Sequence, residues 1–156
     1  MKNNILVLID SLGLGGAENL LYSSLKYSDL SKYNYCVLTV NRNPQENLID
    51  EIRQLGFSIE ELGNRNIIIK IFRIVSTIIK GKIDIVHTHL YYSNILGRIA
   101  CFISKNLILK NIKVVTSLHN PDYSCEYNSS WKFKIRKLID ITTGKMINRG
   151  FIAVSK

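Results

Sequence analysis

The sequence predicts an α/β fold: a Rossmann-like, doubly wound parallel sheet of about six strands in a three-layer α/β/α arrangement. Short apolar runs alternate with longer stretches of helical periodicity along the whole chain. Elements that alternate in this way build a parallel sheet with helices on both faces. The first apolar run, Ile5 to Ile9, is continuous, as a strand buried on both faces requires. A glycine-rich segment, LGLGGAEN, follows it directly, where such folds turn from strand into helix.

The elements then read in order. After the strand Ile5 to Ile9, a helix from about Ala17 to Lys26 sets Leu20, Leu21 and Leu25 at helical spacing. Tyr35 to Val40 is the second strand. Pro44 marks a helix start, with Leu48, Ile49, Ile52 and Leu55 on one face and Gly56 as the C-cap. Phe57 to Leu62 alternates as a third strand. Ile67 to Lys80 carries Ile68, Ile71, Phe72, Val75, Ile78 and Ile79 in an i, i+3, i+4, i+7 stripe, and Gly81 ends it. Ile83 to Val86 is a buried strand, Tyr91 to Ser104 a helix, and Ile112 to Leu118 a strand. A polar loop, HNPDYSCEYNSS, leads into a helix over Trp131 to Ile147 and a last strand over Phe151 to Val154. The expectation is a single domain over residues 1–156.

Composition narrows the class. A chain of 156 residues, 46% apolar and 21% charged, matches a globular domain with a core of its own and excludes a disordered one. Asp10 interrupts the N-terminal apolar run before it reaches signal-peptide length, and no run approaches the roughly 18 apolar residues of a membrane span. Three cysteines, Cys36, Cys101 and Cys125, form no C-x-x-C, which points to free thiols in a reducing cytoplasm. Charge is uneven. Residues 1–64 hold five basic against eight acidic side chains, a net −3, and residues 65–156 sixteen against four, a net +12. Such a field suits phosphate, nucleic acid or a membrane surface, or else is a solvated face. No nucleic-acid recognition motif supports the second of these.

Ligands in such a sheet bind at the strand carboxyl ends. Gly13, Gly15 and Gly16 lie there, where glycine lets backbone amides approach an anion at a helix start. A dinucleotide fingerprint would need a third glycine where Glu18 stands, and an acid after the second strand, where the chain reads Val40, Asn41, Arg42. That argues against nicotinamide binding, and no G-K-[ST] follows to make a P-loop. Taken alone, the segment is a tight turn with Glu18 favouring its helix start. All three histidines, His87, His89 and His119, fall at strand carboxyl ends, where imidazole serves acid–base or hydrogen-bonding roles. A zinc site made from them stays open but lacks an acidic companion. Two basic stretches are amphipathic. Arg65, Lys70, Arg73, Lys80 and Lys82 flank or lie on the third helix, and WKFKIRK runs from Trp131 to Lys137. Each reads either as a lipid-headgroup contact or as the solvated face of a core-packed helix.

Together these residues resemble the N-terminal, acceptor-side domain of family-4 glycosyltransferases, retaining enzymes of the two-domain GT-B fold. SLGLGGAEN at 11–19 resembles the family's G-G-x-E loop, and DIVHTHLYYSNILGRIA at 84–100 its fourth strand and following helix. VVTSLHN at 114–120 resembles its fifth strand, and FIAVSK at 151–156 the strand before the crossover to the second domain. The resemblance implies that Gly15 and Gly16 approach the donor's phosphates, with His119 as the catalytic residue beside the transferred sugar. His87, His89, Tyr91, Asn120 and the loop from Pro121 would shape the acceptor pocket. Trp131, Lys132, Phe133, Lys134, Arg136 and Lys137 would touch an anionic membrane. A nucleotide sugar is then a co-substrate, with no cofactor and no metal. The acceptor would be a lipid-linked sugar or a bacterial surface glycan such as lipopolysaccharide or capsule, at the inner face of the plasma membrane. The family holds its donor in a C-terminal domain with an acid-x7-acid motif. This sequence has no such domain, so the expectation is an acceptor half, inactive without a donor domain or subunit. The alternative is a non-catalytic α/β module that binds a phosphorylated ligand or a protein.

Overall fold

A computed structural model of the chain describes residues 2–43, 47–118, 131–145, 147 and 149–153. Strands and helices alternate as β1 (Asn3–Ile9), α1 (Gly16–Lys26), β2 (Tyr33–Thr39), α2 (Ile49–Gln54), β3 (Ser58–Glu61), α3 (Ile67–Lys80), β4 (Ile85–His89), α4 (Tyr91–Ile108), β5 (Lys113–Leu118), α5 (Trp131–Lys145) and β6 (Arg149–Ala153). All strand pairs are parallel, in the order β3-β2-β1-β4-β5-β6. The chain moves outward from β1 to β3, returns through α3, and moves outward the other way from β4 to β6. The order therefore reverses between β1 and β4, and a crevice opens at their carboxyl ends.

β1 lies inside the sheet and is covered on both faces, so Ile5 to Ile9 are all buried. Ile5, Val7 and Ile9 pack with Val37 under α1 and α2, against Leu21, Leu25, Ile49 and Ile52. Leu6 and Leu8 turn the other way and join Leu38, Val86 and Val114 under α3 and α4, against Ile74, Val75, Ile78, Leu96 and Ala100. The period-2 alternation of side chains divides one apolar run between two cores.

Several boundaries differ from the sequence reading. β4 begins two residues later than expected and ends three residues later, at His89, so His87 and His89 both lie inside the strand. Asp84 precedes it: its carboxylate accepts the Asn4 amide at 2.8 Å and pairs with Lys110 at 2.8 Å, while its own amide donates to the Asn4 carbonyl at 2.9 Å. α4 runs four residues past Ser104, to Ile108. The α3 stripe is rotated from the expected one. Ile74, Val75 and Ile78 are buried, whereas Ile68 and Phe72 are 61% and 67% exposed. Nine of the fourteen α3 positions are apolar and they cover more than one face, so periodicity alone does not select the buried side. Gly56 has φ of +90°, as its terminating role requires. Gly81 does not, at φ −76°, but a Cβ there would stand 2.8 Å from the Thr77 carbonyl, and Lys82 takes the left-handed conformation instead, at φ 48°. Pro44, Cys125 and Val154 lie outside the described residues.

Candidate functional site at the strand carboxyl ends

The crevice between β1 and β4 has a helix start on each side. That of α4 is already occupied. The Asp10 carboxylate, at the end of β1, accepts from the Ser93 amide and hydroxyl at 2.6 Å each, and from the Tyr92 amide at 3.2 Å. It does from across the crevice what an N-cap side chain does locally. Burial pushes the Asp10 carboxyl above its ordinary value, while the Ser93 and Tyr92 bonds and the positive Lys70 oppose that rise. The residue before α4, Leu90, has φ 72° and ψ 170°, a region that essentially only glycine adopts freely. Holding a leucine there stores about 1–3 kcal/mol of backbone strain.

The start of α1 is open. Gly15 is its N-cap with extended backbone, no side chain caps it, and Gly15 and Gly16 are both exposed. A Cβ on Gly16 would meet nothing within 4 Å, and one on Gly15 would meet only the flexible Glu18 carboxylate. Gly13 differs: it is buried, and a Cβ there would stand 2.9 Å from Asn43 Nδ2. None of the three has positive φ, so close approach and not turn handedness is what glycine provides in this loop. Of the two helix starts beside the crevice, α1 is the one without a side-chain cap; Gly15 and Gly16 are exposed there, with the Glu18 carboxylate beside Gly15.

His87 and His89 project from the same face of β4, with ring centroids 4.1 Å apart. His87 Nε2 is 2.8 Å from Ser117 Oγ on β5, and His89 is buried. Tyr91 opens α4. Its hydroxyl donates to the Arg136 carbonyl at 3.2 Å, and the Arg136 guanidinium lies 5.6 Å from its ring centroid. Burial raises the Tyr91 phenol, with the nearby Arg136 charge opposing. Trp131, Lys134 and Lys137 are exposed on α5. The side chains of Lys132 and Phe133, together with His119, Asn120 and the loop from Pro121, lie outside the described residues. The structure thus joins His87 to His89 and Ser117, and Tyr91 to Arg136, and sets Gly15 and Gly16 at the crevice.

The sequence reading assigned no role to Asp10, Asn41, Ser93 or Ser117, and it set Lys70 on a basic face for lipid headgroups or solvent, which its burial corrects. Lys70 is only 9% exposed, and its ammonium donates to Asn41 Oδ1 at 2.9 Å. Desolvation lowers its pKa, and the negative Asp10 opposes that. The signal was present: Lys70 stands four and eight residues before the buried Ile74 and Ile78, a cation on the core stripe. Beside it, at the ends of β2 and β3, Arg42, Glu61, Leu62, Gly63, Asn64 and Arg65 line an open cavity of about 570 Å³. Among the described residues no three His, Cys, Asp or Glu side chains are grouped to hold a metal ion. Burial pushes the Cys101 thiol up to about 12 and raises Cys36 as well, so neither described thiol is a ready nucleophile near neutrality.

Residues 14–156 match the family model of Glycosyltransferase Family 4. The chain belongs to that family. The matched span of this Family 4 chain includes Gly15, Gly16, the strand-end histidines and Lys70. No curated protein matches the sequence. Among solved structures it is similar to HepE of Anabaena in complex with UDP, with a TM-score of 0.59 and 18% identity over 96% of this chain and 43% of that one. It is also similar to a short-chain dehydrogenase from Mycobacterium smegmatis, TM-score 0.60 and 12% identity over 99% of this chain and 77% of that one. A leucoanthocyanidin reductase of Vitis vinifera in binary complex with NADPH gives a TM-score of 0.57 and 15% identity over 95% of this chain and 49% of that one. Identities this low show the fold alone. The Family 4 chain spans less than half the length of HepE. No described helix is long and apolar enough to cross a membrane.

Proposed function

We propose that this chain is the acceptor-side half of a retaining glycosyltransferase that uses a nucleotide sugar and requires a donor domain or donor subunit for turnover. The observation that carries the reading is the asymmetry of the crevice: α4 is capped by Asp10, whereas α1 has no side-chain cap and exposes Gly15 and Gly16. A diphosphate entering at the switch point meets its favourable field at α1. HepE, a relative by fold, was solved with UDP bound, which agrees with a nucleotide in this architecture. The acceptor then approaches from the β4–β5 side, where half-buried His87 is steadied by Ser117 and backed by the buried His89, and His119 follows Ser117 by two residues in the sequence. The acceptor class that fits is a lipid-linked sugar or a bacterial surface glycan, and the cationic second half of the chain suits an anionic membrane nearby. No metal or cofactor has a part in this scheme.

The test uses the native polypeptide with any co-purifying subunit, a panel of nucleotide sugars and lipid extracts as acceptors. Gly16→Val is expected to weaken donor use without unfolding the domain, since its Cβ enters open space. His119→Ala should lower turnover by about 10²-fold, the size of effect a lost acid–base or hydrogen-bonding group produces. The anomeric configuration of the product should match that of the donor. Near-normal turnover in both variants, or an inverted product, would sink the assignment.

A further inference from the structure

We infer that an anion site lies at the carboxyl ends of β2 and β3, where Lys70 meets the cavity walled by Arg42 and Arg65, and that it receives a phosphate or carboxylate group carried by the acceptor. Lys70 leads there. It stands among the core-facing residues of α3, and its ammonium donates to Asn41 Oδ1 at 2.9 Å. An ammonium has three N–H donors, and this neutral amide oxygen takes one of them. Among the described residues no carboxylate forms an ion pair with it. Asp10 acts on it from farther off, and that carboxylate is already held by Ser93 and Tyr92. Burying a charge without a direct partner is costly. A hydrogen bond to Asn41 alone would need only a neutral donor, so the charge itself is explained by a ligand of opposite sign. Desolvation lowers the Lys70 pKa, and an anion beside it would offset that loss.

The surroundings supply the rest of the site. Asn41 leads directly into Arg42, which lines the open cavity of about 570 Å³ with Glu61, Asn64 and Arg65. Arg42, Asn64 and Arg65 are exposed. One Arg65 nitrogen donates to the Leu62 carbonyl, which steadies the guanidinium at the wall, and its fork carries further N–H donors. Guanidiniums grip carboxylate and phosphate through paired N–H groups, and an ammonium adds a point charge. Against these three cations the wall sets one carboxylate, Glu61, since Glu60 pairs with Arg73 at 2.7 Å. A neutral sugar would not use that balance. β2 and β4 flank β1, so two strand spacings, about 10 Å, separate the β2 end from the β4 end. One acceptor can then present its hydroxyl on the histidine side with its anionic group at Lys70. This rests on the proposed reading and deepens it, by giving the acceptor a charge and a second point of attachment.

The experiment is an amide chemical-shift titration of the whole chain with glycerol phosphate and with glucuronate, against the neutral glycerol and glucose. Saturable shifts at Asn41, Arg42 and Arg65 are expected with an anion and not with its neutral counterpart, and the tighter of the two anions tells phosphate from carboxylate. Lys70→Met, which keeps the stem, should weaken that binding about tenfold or more, the scale of a lost charge-assisted contact. Should that variant lose the circular dichroism of the parent, the exposed Arg42→Gln decides instead, with an expected weakening of about threefold or more. No saturable shift with either anion, an equal response to the neutral compounds, or unchanged affinity in the folded variant would each overturn the inference. So would shifts centred on Gly15 and Gly16 that Lys70→Met leaves intact. In the assembled enzyme the same variant should raise the acceptor KM and leave the donor KM unchanged; a lower kcat with the acceptor KM unmoved would make Lys70 a structural residue and overturn the site. Absence of any transfer by the assembled enzyme would sink the glycosyltransferase reading, whereas the anion site stands or falls on the titration.

Discussion

Leu90 and Asp10 form one device. The left-handed backbone at Leu90 turns the chain sharply out of β4, and the Asp10 carboxylate holds the emerging helix through Tyr92 and Ser93. Leu90→Gly relieves about 1–3 kcal/mol of strain while giving up a half-buried side chain worth a similar amount, so urea denaturation should find a net change below about 1 kcal/mol. Asp10→Ala leaves two helix-start amides without their acceptor and should cost about 0.5–2 kcal/mol. The pH dependence has a definite sign. Because burial raises the Asp10 carboxyl above 3.8, its contribution to stability is present below that value and lost as pH rises through its higher folded value. Asp10→Asn lacks this titration. Measured against the parent by denaturation at several pH values, it should gain relative stability as pH climbs from 3.8 through that window.

At the scale of elements, α4 couples sheet to helix layer through two unusual contacts. It crosses β4 so closely that a Cβ on Gly97 would stand 2.5 Å from Thr88 Cγ2 and 3.2 Å from Leu8 Cδ2. Both neighbours are fully buried, so Gly97→Ala should cost about 1–3 kcal/mol despite the better helix propensity of alanine. One residue on, Arg98 is 2% exposed, paired with Asp140 of α5 and lying over the Phe151 ring of β6. Truncating one partner of a buried ion pair leaves the other charge uncompensated, so Arg98→Ala should lose about 3–5 kcal/mol in thermal or chemical unfolding. Arg98→Met, which keeps the stem, should lose less. α3 is the contrasting element: its second half is locked into the core and its first turns stand clear of it.

For the whole molecule, the six parallel strands set the Gly15–Gly16 loop after β1 and the His87–His89 pair of β4 on opposite sides of the switch point. A donor held only by one helix start has few partners here. Titration calorimetry should therefore show little heat when nucleotide sugar is added to residues 1–156 alone, and clear binding once a donor domain or subunit is supplied. Strong binding to the isolated chain would instead favour a self-sufficient binding module.

The sequence by itself determined the class of this protein. Continuous apolar strands, helical stripes between them and a glycine turn after the first strand specify a parallel, doubly wound sheet, since those patterns depend only on local periodicity and on burial on two faces. The ordered motifs also placed it in Family 4, and the open character of Gly15 and Gly16 was legible in the absence of side chains. Only the tertiary structure decided which face of α3 is inside, because nine of its fourteen positions are apolar and cover more than one face, so the choice is made by its neighbours. The same holds for Asp10 reaching Ser93 and for Lys70 reaching Asn41, contacts 83 and 29 residues apart in the chain. No spacing rule encodes them; they exist because the order of strands brings the end of β1 against the start of α4, and α3 back across the sheet.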